Sequence, residues 1–511
     1  MLFYYWSRSF FVLSVIMAFQ AMGSFTPVPN KQASATALTR KLDKIKDSFP
    51  PQAQVSITVI DTKSGDNIYN FNSGINSIPA STQKLFTTWV AYELLTPQWQ
   101  CTTSLVYSGE INDGVLNGDL IIKGQGDPAF GSRFFGTDHN HLTIFSHWYK
   151  QLQLTGIKQV AGCVYGDAGY LNNRNPGPHA LWEDIGNYYA GFSSGLCYRD
   201  NRYRLFLKGH QEEGQPVSFI ETDPVFTGIT TFLSYLKTGP QGSGDRAYIF
   251  GSPLSRVRII EGTYPAGNEK FFIQGSLPHS DWTCAKEFKF FLESKKLPFG
   301  TEVLPCKTHE NYSEYLLHMK KSRRMKTTPI VYHVSPPLVS IITHINKKSD
   351  NNYAEQLLCL LGKADGGKGS RQEGISLLTD YLQEHGIPKH HFNFKDGSGL
   401  SRYNWISGRA VVTLLRLASR HPQFAGFQKT LLCPSSVQKK WRGLGQGWEK
   451  KLWVKTGTME GVFALAGYLK TDSERLFCFS ININNSFFHS SDLYPIVCSF
   501  LLALKKDFIH K

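Results

Sequence analysis

The sequence predicts an α/β fold in which an antiparallel sheet is flanked by helices and interrupted by inserted β-rich domains. Two regions of alternating apolar and polar residues, near the beginning and the end of the chain, each predict adjacent strands. Amphipathic helical patterns accompany both regions, and a long series of short strand-like runs separates them. We therefore expect the two strand regions to join in one sheet. The 511 residues, 41% hydrophobic and 19% charged, are sufficient for two or more domains.

The first strand region covers residues 54–73 and has the sequence "QVSITVIDTKSGDNIYNFNS". Apolar residues alternate along it, and the Ser-Gly-Asp sequence at 64–66 predicts the turn of a β-hairpin. The next stretch, "IPASTQKLFTTWV" at residues 78–90, predicts a helix with Pro79 in its first turn, where proline is well accommodated. Its apolar residues recur at helical spacing and are expected to face a core.

The middle of the chain, residues 99–330, differs in composition from both flanks. Runs such as "GDLIIKGQGDPAF" and "YRLFLKGH" alternate with turns rich in Gly, Pro and Asn. The stretch is too long for a loop, so we predict one or two inserted β-rich domains. Within it, "GITTFLSYL" predicts a helical run, and Asp127 is expected to be a turn or cap residue.

Helical patterns return after the insert, at residues 334–362, 366–386, 405–421 and 491–505. Residues 451–485 predict three strands with two turns, which form a meander. Residues 24–98 and 331–511 are therefore predicted to form a single discontinuous domain.

The first residues of the chain, 1–23, predict a signal peptide. Arg8 supplies a positive charge before the short apolar run "FFVLSVIMAF", and "AMG" at 21–23 offers small residues at the usual cleavage spacing. We therefore expect export to the periplasm. The run is too short for a comfortable membrane span, but an uncleaved anchor, and with it peripheral membrane association, stays open.

The net charge of +15 is compatible with nucleic acid or with another anionic partner. No Lys/Arg-rich run dominates and no nucleic-acid motif occurs, so we predict no nucleic acid and favour anionic cell-wall material.

The nine cysteines are widely spaced, without a C-x-x-C pair, which argues against a zinc site. Export permits disulfides, but their connectivity cannot be deduced from the sequence. Cys359, Cys478 and Cys498 lie in apolar runs and are expected in the core.

The strongest chemical signal is the pair Ser81 and Lys84. On a helix, residues three apart share one face, so a hydroxyl lies beside an amine. The pair is either an activated nucleophile or a helix cap next to a solvated lysine. Other Ser-x-x-Lys sequences occur at 234–237 and 436–439, so this motif does not decide the question alone.

Two further motifs follow in order. "SDN" at 349–351 precedes a predicted helix, and "KTG" at 455–457 lies near the end of a predicted strand. Two similar sequences fit less well. "KTG" at 237–239 is cut off by Pro240, and "SIN" at 480–482 lies inside the last strand with no helix to position it.

S-x-x-K, S-D-N and K-T-G are the motif set of penicillin-binding proteins and class A β-lactamases. The stretches "GDLIIKGQGDPAF", "YGDAGYLNN", "ALWEDIGNYYAG" and "KDGSGLSRYN" resemble the low-molecular-mass class C penicillin-binding proteins of peptidase family S13. The resemblance implies a β-lactamase/transpeptidase-like domain carrying β-rich inserts. It also implies a serine D-alanyl-D-alanine carboxypeptidase and endopeptidase that cleaves peptidoglycan stem peptides, is acylated covalently by β-lactam antibiotics, and requires neither metal nor cofactor.

The resemblance also implies a role for each motif residue. Ser81 is the nucleophile, and Lys84 is its base, with a pKa lowered by burial and by the nearby charge of Lys455. Ser349 relays a proton to the leaving amine, and Asn351 orients Lys84 and the substrate amide. The residue between these two, an aspartate, is expected to point away.

Substrate binding is expected along the third motif. Thr456, Gly457 and Thr458 lie on a strand edge, which an extended peptide can pair with. The backbone N–H groups of Ser81 and Thr458 form the implied oxyanion hole. The Thr456 hydroxyl and the Lys455 charge suit the terminal carboxylate of the substrate.

A wall peptide of the diaminopimelate type carries an ammonium group and a carboxylate at the end of its side chain. The resemblance implies that Asp167, in "YGDAGYL", and Arg402, in "GSGLSRYN", bind these two groups. The alternative is that both are surface or structural charges. Glu460, after the third motif, stands where some relatives have a neutral amide.

Two other functions stay open at this point. A β-lactamase would share the acylation step, but no Glu-x-x-x-Asn loop of that class is evident. A non-catalytic wall-binding protein with a transpeptidase-like fold would not need all three motifs intact.

Overall fold

A computed structural model describes residues 37–506 of the protein, except for residues 173–176, 226, 253, 268–269, 301–319, 321–322, 324, 436–437 and 449. The predicted signal peptide at 1–23 lies outside the described residues. Within those residues, every helix is too short or too polar to span a membrane.

One antiparallel sheet, here called the central sheet, unites the two predicted strand regions. Its strands, in spatial order, are Asn67–Phe71, Gln54–Asp61, Leu476–Asn484, Val462–Lys470 and Leu452–Met459. The predicted hairpin and the predicted meander are therefore confirmed as parts of one sheet.

Helices cover both faces of the central sheet. Alternate residues of a strand point to opposite faces, so Phe463 and Leu465 enter one core while Ala466 and Tyr468 enter the other. The first core also receives the helices Ala37–Lys46 and Ser490–Lys505. The second core is built mainly from the helices Lys84–Leu94, Leu338–Lys348, Asn351–Ala364, Arg371–Glu384, Gly408–Ser419 and Phe424–Thr430.

The insert contains a four-stranded sheet and more helix than the sequence predicted. The strands of this sheet are, in order, Thr327–Val334, Thr102–Ser108, Leu120–Gly124 and Val164–Asp167. Two long helices, His141–Leu154 and Ser280–Ser294, and a short one, Trp182–Ile185, accompany it. In "HLTIFSHWYKQLQL" the residues Ile144, Phe145, Trp148 and Leu152 recur at helical spacing and are buried, which is the signal that the prediction missed.

The remaining strands form small sheets. They are Arg202–Lys208 with Ser218–Asp223 and Phe271–Ser276; Thr231–Ser234 with Val257–Glu261 and Tyr248–Phe250; Lys237–Gly239 with Thr263–Pro265; Glu110–Asn112 with Val115–Asn117 and Gln159–Val160; and Asn76–Ser77 with Trp405–Ser407 and Phe392–Asn393.

The helix predicted in "GITTFLSYL" is wrong. Residues Thr231–Ser234 form a strand parallel to Val257–Glu261, because β-branched and aromatic residues at this point suit a sheet. The neighbouring Lys237–Gly239 is also a strand, and it ends directly before Pro240.

The predicted domain boundaries stay predictions. Strand Thr327–Val334 crosses the predicted boundary at residue 330 and pairs with Thr102–Ser108 from inside the predicted insert.

The cysteines expected in the core, Cys359, Cys478 and Cys498, are all buried. Cys163 is disulfide-bonded. The other described cysteines are free, and of these only Cys433 is exposed.

Candidate active site

Ser81 lies on a tight turn rather than in an α-helix. Residues Ala80–Gln83 form a 3₁₀ helix, and the α-helix begins only at Lys84. Side chains three residues apart eclipse each other in a 3₁₀ helix, and Lys84 Nζ accordingly lies 2.8 Å from Ser81 Oγ. Ala80 has a φ of 45°, a strained conformation for a residue with a side chain. The predicted pairing of hydroxyl and amine is present, on a different helix type.

Lys84 is fully buried, and its amine has a defined set of partners. Besides Ser81 Oγ, the Nζ atom lies 2.7 Å from Asn351 Oδ1 and 2.7 Å from Ser398 O. The latter two atoms can only accept hydrogen bonds. In the neutral amine, two N–H groups donate to them, and the lone pair is directed at the Ser81 hydroxyl proton.

Burial lowers the pKa of Lys84 to about 8. The negative charges of Asp396, Glu355 and Asp350 act in the opposite direction and limit the decrease. An amine with this pKa is neutral often enough at physiological pH to serve as a general base.

Ser349 and Lys455 form a second serine–lysine pair. Lys455 Nζ donates to Ser349 Oγ at 2.9 Å and to Thr456 O at 2.7 Å. Burial, together with the charge of Lys84, lowers the pKa of Lys455 well below its usual value. The backbone of Ser349 has a left-handed conformation, with a φ of 60°, and this residue ends the helix Leu338–Lys348.

Asp350 positions the second motif and is directed away from Ser81 and Lys84, as expected. Its Oδ1 caps the helix Asn351–Ala364 by accepting from the next backbone N–H groups. Its Oδ2 forms an ion pair with Arg202 of the insert and a hydrogen bond with His344 at 3.1 Å. Although burial opposes it, Arg202 and His344 together lower the pKa of Asp350 to about 2. The helix break is therefore fixed to the insert.

The third motif lies on the outer strand of the central sheet. Gly457 closely approaches the turn of Ser81, and a Cβ atom there would lie 2.8 Å from Ser81 N and 3.0 Å from Pro79 O. Glycine therefore allows the strand edge to approach Ser81. Among the described residues, the outer side of this strand pairs only at Val454, with Leu432, so Thr456 and Thr458 border an open edge.

The sequence analysis missed Glu355. It lies one helical turn after Asn351, and its Oε1 accepts from the N–H groups of Gly397 and Ser398, each at 2.9 Å. Its Oε2 accepts from Arg371 at 3.2 Å. Glu355 thus holds the loop that presents Ser398 O to Lys84. The i, i+4 spacing to Asn351 was the available signal.

Asp396 belongs to the same loop and stabilises it through hydrogen bonds to its backbone. Its carboxylate accepts from the N–H groups of Gly399 at 2.7 Å and Ser401 at 2.6 Å. Burial and the nearby charge of Glu355 raise the pKa of Asp396 to about 6.

Arg402 and Asp167, the two residues predicted to bind diaminopimelate, lie in different surroundings. Arg402 donates to Glu460 O at 3.0 Å and so lies beside the turn that follows the strand of the third motif. Asp167 ends a strand of the insert and forms an ion pair with Arg323 at 2.6 Å. A different acid, Asp184, lines a cavity together with Asn351, Ser398 and Ser401.

Asp184 interacts electrostatically with Arg402. Burial raises the pKa of Asp184, whereas a hydrogen bond from Tyr189 and the charge of Arg402 act to lower it. Asp184 lies in the quoted stretch "ALWEDIGNYYAG", but the sequence analysis gave it no role.

Together these side chains can perform acyl transfer to serine. A hydroxyl contacts a buried amine, a second hydroxyl contacts a second amine, and an open strand edge borders the first hydroxyl.

The chain belongs to the D-Ala-D-Ala carboxypeptidase 3 (S13) family, whose profile matches residues 38–495. It is 22% identical over 456 residues to the D-alanyl-D-alanine carboxypeptidase DacB of Haemophilus influenzae, covering 85% of this chain and 89% of that protein. It is 24% identical over 469 residues to a D-alanyl-D-alanine carboxypeptidase of Actinomadura, covering 89% and 82%.

Solved structures share the fold. The crystal structure of penicillin binding protein 4 of Haemophilus influenzae matches with a TM-score of 0.72 at 20% identity, covering 91% of this chain and 98% of that one. The same protein in complex with a β-lactam matches with a TM-score of 0.68. The predicted family, fold class and enzyme class, a serine-type D-Ala-D-Ala peptidase, are therefore confirmed.

Proposed function

We propose that the protein cleaves peptidoglycan stem peptides and their cross-links through an acyl-enzyme on Ser81. The observation that carries this proposal is the contact of 2.8 Å between Ser81 Oγ and the buried Lys84 Nζ. Serine needs a base to attack an amide, and this amine is adjacent, desolvated and directed by two fixed acceptors.

The reaction has two steps. The Ser81 hydroxyl transfers its proton to Lys84 as Oγ attacks the carbonyl carbon of the D-Ala-D-Ala amide. Ser349, held by Lys455, then delivers a proton to the departing nitrogen as the C–N bond breaks. The proton held by Lys84 passes to Ser349, which restores both groups. In the second step, water gives a proton to Lys84 as its oxygen attacks the ester carbonyl carbon, and Lys84 returns this proton to Ser81 Oγ as the ester C–O bond breaks.

The substrate lies along the outer strand of the central sheet. Its backbone pairs with Thr456, Gly457 and Thr458, and its scissile carbonyl oxygen accepts from the N–H groups of Ser81 and Thr458. The terminal carboxylate is bound by the Thr456 hydroxyl and by Lys455, whose protonated form the incoming negative charge favours. The open edge and the close approach of Gly457 to Ser81 support this placement.

The site acts outside the cytoplasm, on wall material. The signal peptide predicted at 1–23 directs the chain to the periplasm, where the stem peptides are the substrate and β-lactam antibiotics are covalent inhibitors. Peripheral membrane association through an uncleaved leader is the alternative to a fully released protein.

A diaminopimelate side chain is bound at the cavity beside Asn351. Arg402 grips its carboxylate with two parallel hydrogen bonds. The ammonium group pairs with Asp167 or Asp184. Asp184 is the better supported of the two, since it lines the cavity and interacts with Arg402, whereas Asp167 already has Arg323 as a partner.

Labelled penicillin tests this function against both alternatives. Lasting label on Ser81, absent in the Ser81→Ala variant, together with release of D-alanine from a stem peptide, is the expected result. Rapid loss of the label would indicate a β-lactamase, and no label at all would indicate a non-catalytic wall-binding protein.

A further inference from the structure

A cavity of about 460 Å³ adjoins the site on the side of Ser349. Its volume lies within the range of small-ligand sites. Ser349 and Asn351 form part of its wall, so the cavity is continuous with the proposed reaction centre. The other walls carry four basic side chains, Arg133, Arg202, Arg204 and Lys348.

Two of these cations have carboxylate partners and two do not. Arg202 pairs with Asp350, and Arg133 pairs with Asp223 at 2.8 Å. Arg204 and Lys348 form no ion pair with any residue in the described part of the chain. Positive charge therefore exceeds negative charge on the cavity wall.

The acidic side chains of the wall already have hydrogen-bond or ion-pair partners within the protein. Asp200 accepts from Ser132 Oγ and from Tyr353 OH, both at 2.6 Å. The cations also affect one another: burial, then the charges of Arg199 and Arg204, lower the pKa of Arg133, against the opposite effect of Asp223 and Asp200. An anion entering the cavity would relieve this repulsion.

Aromatic rings hold the arginines in place. The Arg204 guanidinium carbon lies 4.7 Å from the ring centre of Phe272, and that of Arg202 lies 5.0 Å from Tyr188. Stacking uses the face of a guanidinium and leaves its N–H groups for a planar anion such as a carboxylate. The cations are thus positioned before any ligand binds.

The position beside Ser349 identifies which part of the substrate reaches the cavity. Ser349 is the proposed proton donor to the departing nitrogen, so the space beyond it faces the leaving segment. In carboxypeptidase cleavage this segment is one D-alanine, whose carboxylate is bound at the third motif. In a cross-link it is a second stem peptide, which carries further carboxylates.

We propose that this cavity binds a carboxylate of the second stem peptide, with Arg204 and Lys348 as the free cations, and so favours cleavage of cross-links over removal of terminal D-alanine. The proposal rests on the function proposed above and names the recognition of the leaving segment.

The Arg204→Gln variant tests it on three purified substrates: a cross-linked peptide dimer, the same dimer with the carboxylates of its leaving strand amidated, and a monomer ending in D-Ala-D-Ala. We expect the ratio of dimer to monomer kcat/KM to fall by about tenfold, mainly through KM, as for the loss of one charged hydrogen bond. With the amidated dimer, the same ratio should already be low in the unaltered protein. Arg256→Gln, an exposed arginine of the insert outside the cavity, is the matched control.

The outcomes separate this proposal from the proposed function. If Arg204→Gln shows normal penicillin labelling, normal monomer cleavage and an unchanged ratio of dimer to monomer kcat/KM, the proposed role of the cavity is wrong, whereas the proposed function stands. An equal loss of kcat/KM on the native and the amidated dimer in this variant would also contradict the role of the cavity. Absence of labelling and monomer cleavage in the unaltered protein would instead reject the proposed function. Lys348→Gln, at an exposed position, repeats the test if Arg204→Gln does not fold.

Discussion

At the scale of single residues, the proposed mechanism requires the amine of Lys84 to be neutral. Lys84 and Lys455 are both buried and close enough for the charge of Lys84 to lower the pKa of Lys455. Two protonated ammonium groups in this space repel each other. The hydrogen bonds of Lys84 to two obligate acceptors explain how it can lose its proton and keep its position.

Acylation by penicillin should therefore rise with pH. Because the pKa of Lys84 is lowered to about 8, roughly a tenth of the amines are neutral at pH 7. The acylation rate should increase nearly tenfold per pH unit well below this pKa and level off above it. Rapid-mixing measurements with a reporter penicillin across this range check the profile. Lys84→Met should lose at least about 10²-fold in rate, and a flat profile in the unaltered protein would exclude Lys84 as the base.

Glu355 offers a second test at this scale. Its negative charge raises the pKa of Lys84, so Glu355→Gln should move the midpoint of the pH profile to lower pH, by about half a unit or more. Glutamine retains an oxygen for the N–H groups of Gly397 and Ser398, so the loop keeps an acceptor. Exposed Glu384→Gln is the control. A lower rate with an unmoved midpoint would mean that Glu355 acts on the loop only.

At the scale of elements, the helix Asn351–Ala364 connects three parts of the molecule. Its cap, Asp350, binds Arg202 of the insert, while Asn351 contacts Lys84 and Glu355 contacts the loop of Ser398. Asn352 also bonds the insert, accepting from Gly191 N at 2.7 Å. Movements of the insert are therefore coupled through this helix to the second motif.

The outer strand gives a sharp prediction. In Gly457→Ala, the new Cβ would lie 2.8 Å from Ser81 N, so the strand must move away and the oxyanion hole widens. We expect acylation to slow by at least about 10²-fold, as for loss of one oxyanion donor. Thermal unfolding should change little, since the pairing with Val462–Lys470 persists. Gly74→Ala, at a glycine with open space around it, is the control for the substitution itself.

Unchanged acylation in Gly457→Ala would show that the edge of this strand does not form the oxyanion hole. A large loss of thermal stability in the same variant would show instead that the strand, and not its distance from Ser81, was disturbed.

At the scale of the whole molecule, the proposed substrate choice depends on Arg402, after the Ser398 loop, and on Asp184 of the insert, which lines the cavity beside Asn351. Arg402→Lys should reduce cleavage of a diaminopimelate peptide more than that of a plain acyl-D-Ala-D-Ala, because lysine cannot form the two parallel hydrogen bonds. Penicillin acylation should fall least. Comparison of kcat/KM for the three reactions checks this, with exposed Arg409→Lys as control. Equal slowing of all three reactions would make Arg402 structural.

The acidic partner can be identified in the same way. Asp184→Asn should weaken the preference for diaminopimelate more than Asp167→Asn, because Asp184 lines the cavity and interacts with Arg402. A larger effect of Asp167→Asn would show that Asp167, as the sequence indicated, binds the ammonium group. The substrate ammonium would then compete with Arg323 for this carboxylate.

The sequence predicted the central sheet and the meeting of its motifs because both follow from local patterns and motif order. It did not predict the contacts of Glu355 or the position of Arg204 on the cavity wall, because each depends on the packing of distant segments. Glu355 accepts from residues more than 40 positions away, and Arg204 lines the same cavity as Ser349 only because of the packing of the insert. The helix His141–Leu154 was missed for another reason, since its apolar spacing was present but surrounded by strand-like runs.

The order of synthesis adds a constraint on when activity can arise. Thr62 Oγ1 donates to Leu476 O across 414 positions of the sequence, and the strand with the third motif joins the sheet only through these late strands. A growing chain thus presents Ser81 long before any strand can complete its oxyanion hole. Contacts of such range form slowly, and the insert adds another, because Thr327–Val334 pairs with Thr102–Ser108. Ser81 and the strand of the third motif can therefore meet only after nearly the whole central sheet has been synthesised.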